Sequence, residues 1–376
     1  MKIALVRGAF LNQYEAQIFF PIVKKHDLVG FSSLHPIHDQ FLFPVVKCPS
    51  PMDLNFGSFS RIKMPLLNRL FIDAHLLWGL EDKLEGFDIA HCADTFYHFT
   101  HQCVVAKKQG KVKKVVATIF ENIPFNNEGI WGRKQFKQDA IANIDHFIAI
   151  SERSKAALIL EGAPEEKITV IGQRIDTHRF TPSNRKSDNK NLTILFTGRL
   201  EFYKGVYEVI YSAKRLITDR ELSQHKLKFL LVGEGTEKPK LEELIKRLSL
   251  EKNVTIKSVS YDKMPEIYHE ADIFVAPSRA TRTYQEQFST VLLEAQASGL
   301  PIVTTYSGGI PENVEDAALM ANPGDFYSIS SSIKKLILNP NLRNHYGILA
   351  RKHVQKYSIS LGSKQVERVY RSVLQA

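Results

Sequence analysis

Residues 283–305 read TYQEQFSTVLLEAQASGLPIVTT, and the punctuation of this stretch decides the fold. The run from Thr290 to Ser298 is apolar and small enough for a buried helix opening near Ser289. Gly299 and Pro301 stop it, and IVTT is the short β-branched run of a buried strand. A helix passing directly into a buried strand is one repeat of an α/β fold with a parallel sheet. Glu286 stands in the loop before the helix, and Glu294 lies eight positions later inside it. At ~1.5 Å per residue the two carboxylates would stand about 10 Å apart, too far for one acid/base pair but suited to gripping two parts of an extended ligand. LLEA surrounds Glu294, so its carboxylate is expected to be partly buried and to need a partner such as sugar hydroxyls. The plainer alternative is an amphipathic helix with Glu294 solvated. The helix start offers free N–H groups and a positive dipole end.

The same alternation extends in both directions. Downstream of residue 191 the strands are LTILFTG, LKFLLVGEG, VTIKSV, DIFVAPS, LPIVTT and ALMAN, with helices near 206–216, 239–248, 264–270, 290–298 and 329–338. Upstream they are KIALV, DLVGF, DIAHC, KVVATIF, HFIAI and ITVIG, and Ser151 caps a helix over ERSKAALILEG. TPSNRKSDNKN, residues 181–191, lacks large apolar residues and is rich in turn formers, which marks a linker. The chain therefore reads as an α/β protein of two Rossmann-like doubly wound domains, 1–180 and 192–357, facing across a cleft. An amphipathic segment at 358–376 carries Val366, Val369, Tyr370 and Val373 at helical spacing. Ligands of such sheets bind beyond the carboxyl ends of the strands.

Motifs stand at those strand ends. In TGRLEFYKGV, Gly198 allows a tight exit from the strand, and Arg199 and Lys204 bring two cations suited to a diphosphate. Both would also stabilise a phosphate leaving group as it gains charge. It is not a Walker loop, because Lys204 precedes Gly205 and no Ser or Thr follows as a magnesium ligand. VGEG places Gly233 and Gly235 where backbone can approach a ligand, a weaker signal. YSGGIPENV sets Gly308 and Gly309 before a helix with Pro311 in its first turn, a second helix start suited to an anion or a sugar.

The ordered set GRLEFYKG, VGEG, ADIFVAPS, EQFSTVLLEAQASGLPIV and SGGIPENV resembles the retaining glycosyltransferases of family 4, built on the GT-B fold. The resemblance runs from about Ile171 to Asn322 and is looser in the N-terminal half. It implies that Arg199 and Lys204 hold the donor diphosphate and that Glu294 holds the ribose. Glu286 and the backbone after it, through Gln287, Phe288, Ser289 and Thr290, would lie against the transferred sugar. The turn Ser258, Val259, Ser260 would carry the base, with Gly198 and Gly233 lining the phosphate site. Gly8, in RGAFLNQYE, is where N-terminal backbone would approach the phosphate. The last helix would cross back onto the N-terminal domain. Two departures matter. Glu286-Gln287-Phe288-Ser289 replaces the common Glu-Gly-Phe-Gly, and Phe120 occupies the place of a frequent histidine. Glu121 and Asn122, with Asn12, are the acceptor-side candidates. The resemblance further implies transfer of a hexose-type sugar with retention to a glycan, lipid-linked or small-molecule hydroxyl. No Asp-any-Asp motif occurs, in keeping with a nucleotide-sugar co-substrate and no cofactor or metal.

Bulk properties bound the alternatives. A length of 376 residues suits two cores, and three cysteines are too few for a disulfide framework, which favours a reducing cytoplasm. The N-terminus lacks the apolar run of a signal peptide, and no run approaches the ~18 residues of a membrane span. The net charge of +10 favours anionic partners. Lys107, Lys108, Lys111, Lys113 and Lys114 form the densest run, read either as a solvated helix end or as a patch resting on the inner face of an anionic membrane. No basic recognition helix or aromatic-interleaved basic strand points to nucleic acid. The rival readings are a non-catalytic nucleotide or polyanion binder and a phosphorylase on the same fold. A metal site from His91, Cys92, Asp94, His98, His101 and Cys103 would need Asp94, His98 and His101 on one helical face, and matches no standard zinc spacing.

Overall fold

Each β-branched run becomes a strand that pairs only in parallel, because a crossover element returns the chain to the same sheet edge. The computed structural model describes residues 1–55, 60–185 and 188–376. These fall into two units, Met1–Arg174 with Ile359–Ala376, and Ile175–Ser358. The first holds β1 (Lys2–Val6), β2 (Asp27–Ser32), β3 (Val45–Lys47), β4 (Phe87–Ala93), β5 (Val112–Ile119), β6 (His146–Ala149) and β7 (Ile168–Val170), in the order β3-β2-β1-β4-β5-β6-β7. The second holds β8 (Asn191–Thr197), β9 (Lys226–Val232), β10 (Val254–Lys257), β11 (Ile273–Ala276), β12 (Ile302–Thr305) and β13 (Leu319–Ala321), in the order β10-β9-β8-β11-β12-β13. Both are Rossmann-like sheets whose strand order reverses direction at the middle. Among the described residues no helix is long and apolar enough to cross a membrane.

Period-two alternation divides the first sheet between two cores. Ala4, Val6, Ala90 and Val115 face one, while Ile3, Leu5, Ile89 and Val116 face the other. That second core is closed by Val366, Val369, Tyr370 and Val373 of the Ile359–Gln375 helix. At its centre His91 is fully buried, with Nδ1 2.5 Å from the Tyr370 hydroxyl and Nε2 2.7 Å from Thr118 Oγ1. Burial holds the imidazole well below its ordinary pKa, so it is neutral.

The backbone joins the second unit ahead of the compositional linker. The Ile175 N–H donates to the Tyr357 carbonyl at 3.0 Å, Arg351 donates to the carbonyls of Thr177 and Phe180, and Arg185 pairs with Asp272 at 2.7 Å. Hydrogen bonding of the chain, rather than its turn-forming composition, sets this division. The lysine run also differs from a free cationic patch, because every member has an aspartate. Lys107 and Lys114 meet Asp145, Lys108 meets Asp139, Lys111 meets Asp82 and Lys113 meets Asp88. Among the elements that escape a pattern reading are the three-residue edge strand β3, the Ser60–Phe71 helix with Pro65 inside it, the Arg133–Asn143 helix and the Pro340–His353 helix.

Tyr370→Phe keeps the ring's packing but leaves a buried imidazole nitrogen without its hydroxyl. Chemical unfolding should show a loss of about 1–3 kcal/mol. An unchanged denaturation midpoint would mean that this hydrogen bond contributes nothing.

Candidate functional site

In the second unit β8 lies between β9 and β11, so the crossovers diverge at the β8/β11 boundary and leave a crevice at the strands' carboxyl ends. The loops that follow β8, β9, β11 and β12 meet there. The Leu200 N–H donates to the Glu234 carbonyl at 2.8 Å, and Arg279 N–H to the Tyr203 carbonyl at 2.8 Å. Gly233, at φ 154°, is required by its neighbours, since a Cβ there would sit 1.9 Å from the Gly198 carbonyl oxygen. The backbone approach that VGEG permits is thus made by the chain itself.

The loop after β8 carries Arg199 outward and ends in a 3-10 turn, Phe202–Lys204. Lys204 does not point into open solvent. Its Nζ lies 2.7 Å from Glu286 Oε2, which also accepts from Ser278 Oγ at 2.8 Å and from the Tyr284 hydroxyl at 3.2 Å. The Glu286 side chain is 9% exposed and that of Lys204 16%. Burial alone would raise the carboxyl's pKa; the Lys204 charge and the three donors outweigh it and hold the group below its ordinary range. Tyr203 and Tyr284 pack with ring centroids 4.0 Å apart, the Arg199 guanidinium 5.5 Å from the first and the Lys204 ammonium 5.4 Å from the second. Glu286 is therefore fixed in its ionised form between β8 and β11.

Glu294 sits inside the Thr290–Ala297 helix and is buried. Its carboxyl has protein partners rather than an empty shell awaiting sugar hydroxyls. Tyr268 donates to Oε2 at 2.7 Å and Tyr261 to Oε1 at 3.2 Å. Burial pushes its pKa up to about 7 despite these bonds. Ser289 begins that helix without any side-chain cap, leaving first-turn N–H groups for another acceptor. The segment between the glutamates is clamped from β12. Gly309 N–H donates to the Glu286 carbonyl at 2.7 Å, and Asn313 Nδ2 to that of Ser289 at 3.0 Å. A Cβ on Gly309 would fall 2.1 Å from the Gln287 carbonyl oxygen. SGGIPENV thus holds the Glu286 loop, and its Ile310–Val314 helix spends its first donor on protein. Phe288 is buried beside Tyr357, at 5.4 Å between rings. Ser258, Val259 and Ser260 follow β10, with Ser258 hydrogen-bonded to Glu234.

In the first unit Gly8 opens a 3-10 turn directly after β1, at φ 55°. Asn12 caps the short helix behind it, accepting from Glu15 N–H at 2.9 Å. Glu121 accepts from the N–H groups of Asn122 and Ile123 and from the side chains of Asn126 and Asn127, so it organises its own loop. Asn122 is buried within that loop. Asp94 lies before the His98–Lys108 helix, at φ 48°, so it cannot share a helical face with His98 and His101. It accepts instead from the N–H groups of Phe120 and Glu121, and burial raises its pKa to about 7. His98 Nδ1 meets the Phe71 carbonyl, and His101 stacks on Phe136. Among the described residues no three His, Cys, Asp or Glu side chains gather to hold a metal ion.

Sequence patterns had pointed to Arg199, Lys204 and the two glutamates, and the structure brings Lys204 to Glu286. The residues they missed are Tyr261, Tyr268, Ser278 and Tyr284, which solvate the two carboxylates. Ser278 and Tyr284 lie close to Glu286 in sequence and could have been suspected as donors. Nothing in spacing singles out Tyr268.

Comparison with known proteins agrees with this architecture. The family profile Glycosyl transferases group 1 matches residues 178–353, and Glycosyltransferase Family 4 matches residues 40–179. The capsular polysaccharide biosynthesis glycosyltransferase CapM of Staphylococcus aureus is 30% identical over 243 residues, 60% of this chain and 61% of that protein. The D-inositol 3-phosphate glycosyltransferase of Corynebacterium urealyticum is 28% identical over 261 residues, 64% of this chain and 60% of that one. The matches thus span about three fifths of these relatives' lengths. In fold, Anabaena HepE in complex with UDP superposes with a TM-score of 0.77 at 20% identity, over 99% of this chain and 100% of that one. HepE has also been solved with UDP-glucose, at a TM-score of 0.77 and 19% identity, again over 99% of this chain and 100% of that one.

The raised pKa of Glu294 has a measurable sign. An ordinary glutamate in the unfolded chain ionises near 4.5, whereas the folded carboxyl keeps its proton to about 7. Its contribution to stability is therefore full below pH 4.5 and is lost as the pH rises to about 7. Glu294→Gln removes that slope, so across this window the native protein should lose up to about 3 kcal/mol more than the variant. Denaturant unfolding at several pH values reads the difference, and parallel curves would rule out a protonated Glu294.

Proposed function

The chain belongs to glycosyltransferase family 4, and from that membership we infer that it transfers a hexose-type sugar from a nucleoside-diphosphate sugar to an acceptor hydroxyl, with retention and without a metal. The observation that carries the reading is the Lys204–Glu286 pair at the β8/β11 boundary, with Arg199 and the uncapped Thr290–Ala297 helix beside it. Two cations and an uncapped helix start are the groups that would take up a diphosphate. HepE, of the same fold, has been solved with UDP-glucose, which supports a nucleotide sugar as the donor.

In this reading Arg199 and Lys204 take the charge that develops on the diphosphate as the glycosidic bond breaks, in the role a divalent ion fills elsewhere. A donor phosphate oxygen receives the proton of the incoming hydroxyl on the face from which the diphosphate leaves, so configuration at the anomeric carbon is kept. Glu286 is ionised and fixed by three donors, which suits a group that orients Lys204 and accepts from sugar hydroxyls. Glu294 holds the ribose with the hydrogen-bonding capacity that Tyr261 and Tyr268 leave. The acceptor is a hydroxyl of a glycan, lipid-linked or small molecule bound by the first unit, and the reaction belongs in the cytoplasm. A polyanion-binding role has less support, since aspartates neutralise the lysine run.

A panel of nucleotide sugars should contain at least one that raises the melting temperature and is turned over to free nucleotide. Protection by none of them would overturn the proposal. Glu286→Gln should reduce turnover by about 100-fold or more, with a smaller loss of stability than a full truncation because the amide oxygen still accepts from the largely buried Lys204 ammonium. Lys204→Gln should lose both, because it strands a buried carboxylate. Near-normal turnover in either variant would remove these residues from the site.

A further inference from the structure

At the amino ends of β11 and β12, the opposite edge of the second sheet from Lys204 and Glu286, the second unit holds a pocket of about 690 Å³. That is the size of a small-molecule site. Asp272 and Pro301, each one residue ahead of a strand, line it together with the Pro340–His353 helix. Pro182, Leu300, Pro340 and Ile348 add apolar walls. Among the described residues no aromatic ring lines it, so a nucleobase would find nothing to stack on. The Thr290–Ala297 helix ends here, with Ser298 and Gly299 in the wall, so the pocket touches the far end of the element that carries Glu294.

Four cations line this apolar space, Arg185, Arg343, Arg351 and Lys352, with one carboxylate, Asp272. Asp272 pairs with Arg185 at 2.7 Å. Arg343 is 6% exposed, and its guanidinium donates to the carbonyls of Leu336 and Ile337 and to the Asn189 side chain. Arg351 donates to the carbonyls of Thr177, Phe180 and Ala297. Each thus spends at most three of the five donors a guanidinium carries, all on neutral acceptors. Both cap helix ends in doing so, which offsets about half a charge apiece. Nearby carboxylates are engaged elsewhere, Glu270 with Lys257 and Asp188 with its own turn. Ser298 is 3% exposed, and its hydroxyl has no hydrogen-bond partner among the described residues, although a buried hydroxyl is ordinarily satisfied. We propose that this pocket binds a small amphipathic anion. Its apolar body lies against Leu300, Pro301, Pro340 and Ile348, and its carboxylate or phosphate head meets Arg343, Arg351 and the Ser298 hydroxyl. A guanidinium with little access to water attracts an incoming anion more strongly than one in open solvent.

Isothermal titration of the full chain with octanoate, octyl phosphate and neutral n-octanol reads the site. At least one of the two anions should bind with a submillimolar Kd, about tenfold or more tightly than n-octanol. Tighter octyl phosphate would identify a phosphate ester as the natural occupant, tighter octanoate a carboxylic acid, and either supports the proposal. Ile348 is 63% exposed at the pocket, so Ile348→Glu should keep the native melting temperature. It should weaken the preferred anion by about tenfold or more, because it sets a carboxylate beside the bound head. Ser298→Ala should weaken that anion by about threefold or more with no fall in melting temperature, since the hydroxyl holds nothing in the fold. Binding of neither anion, equal affinity for n-octanol, or native-like binding by either variant would overturn the proposal.

Discussion

A carboxylate and an ammonium with little access to water are costly to bring together and more costly to separate, and the second unit is arranged around such a pair. Lys204 comes from the turn after β8 and Glu286 from the loop after β11, so their contact ties two neighbouring strand ends. Ser278 and Tyr284 supply the remaining donors that let the charge persist in a buried place. The tie fixes where Lys204 can reach. A diphosphate entering the crevice would compete with a carboxylate for the same ammonium, so binding and local rearrangement are coupled through one nitrogen.

The loops around this pair are placed by close packing of backbone on backbone. Gly233 lies against the Gly198 carbonyl, and Gly308 and Gly309 lie against those of Glu286 and Gln287. A methyl group at these positions would push apart segments that come from different strands. These glycines therefore act on the ligand at one remove, by fixing the positions of Arg199, Lys204 and Glu286. The glycine motifs of such a sheet edge read as ligand-contact signatures from sequence, whereas here much of their content is internal.

Legibility followed the physics of each signal. Strands with β-branched runs, such as β5 and β8, stand out because period and composition agree. β3 did not, because three residues on an edge carry too little pattern. The Ser60–Phe71 helix was obscured by Pro65. At the site, Arg199, Lys204 and both glutamates were visible from their place after strands. Tyr261 and Tyr268 were not, since their contact with Glu294 depends on how the loop after β10 and the helix after it lie over another helix. Glu121 carried a carboxylate in a suggestive position, yet its oxygens accept from four groups of its own loop. Whether a polar side chain faces a ligand or its own turn is decided by backbone path, which spacing does not encode.

The Ile359–Gln375 helix gives the two units different histories during synthesis. Residues 175–358 contain every strand and helix of the second unit, so that unit can fold once its own stretch has left the ribosome. The first unit must wait. One side of its sheet, including Ile3, Leu5 and His91, is covered in part by Leu11, Ala16, Phe19 and Ile22 from the start of the chain, and its cover is completed by residues made after the whole second unit. Until they arrive, part of an apolar sheet face and one side of a buried-type histidine stand open to water, the condition in which nascent chains engage chaperones or one another. Where in the chain a protein places its closing helix thus determines how long its core is exposed.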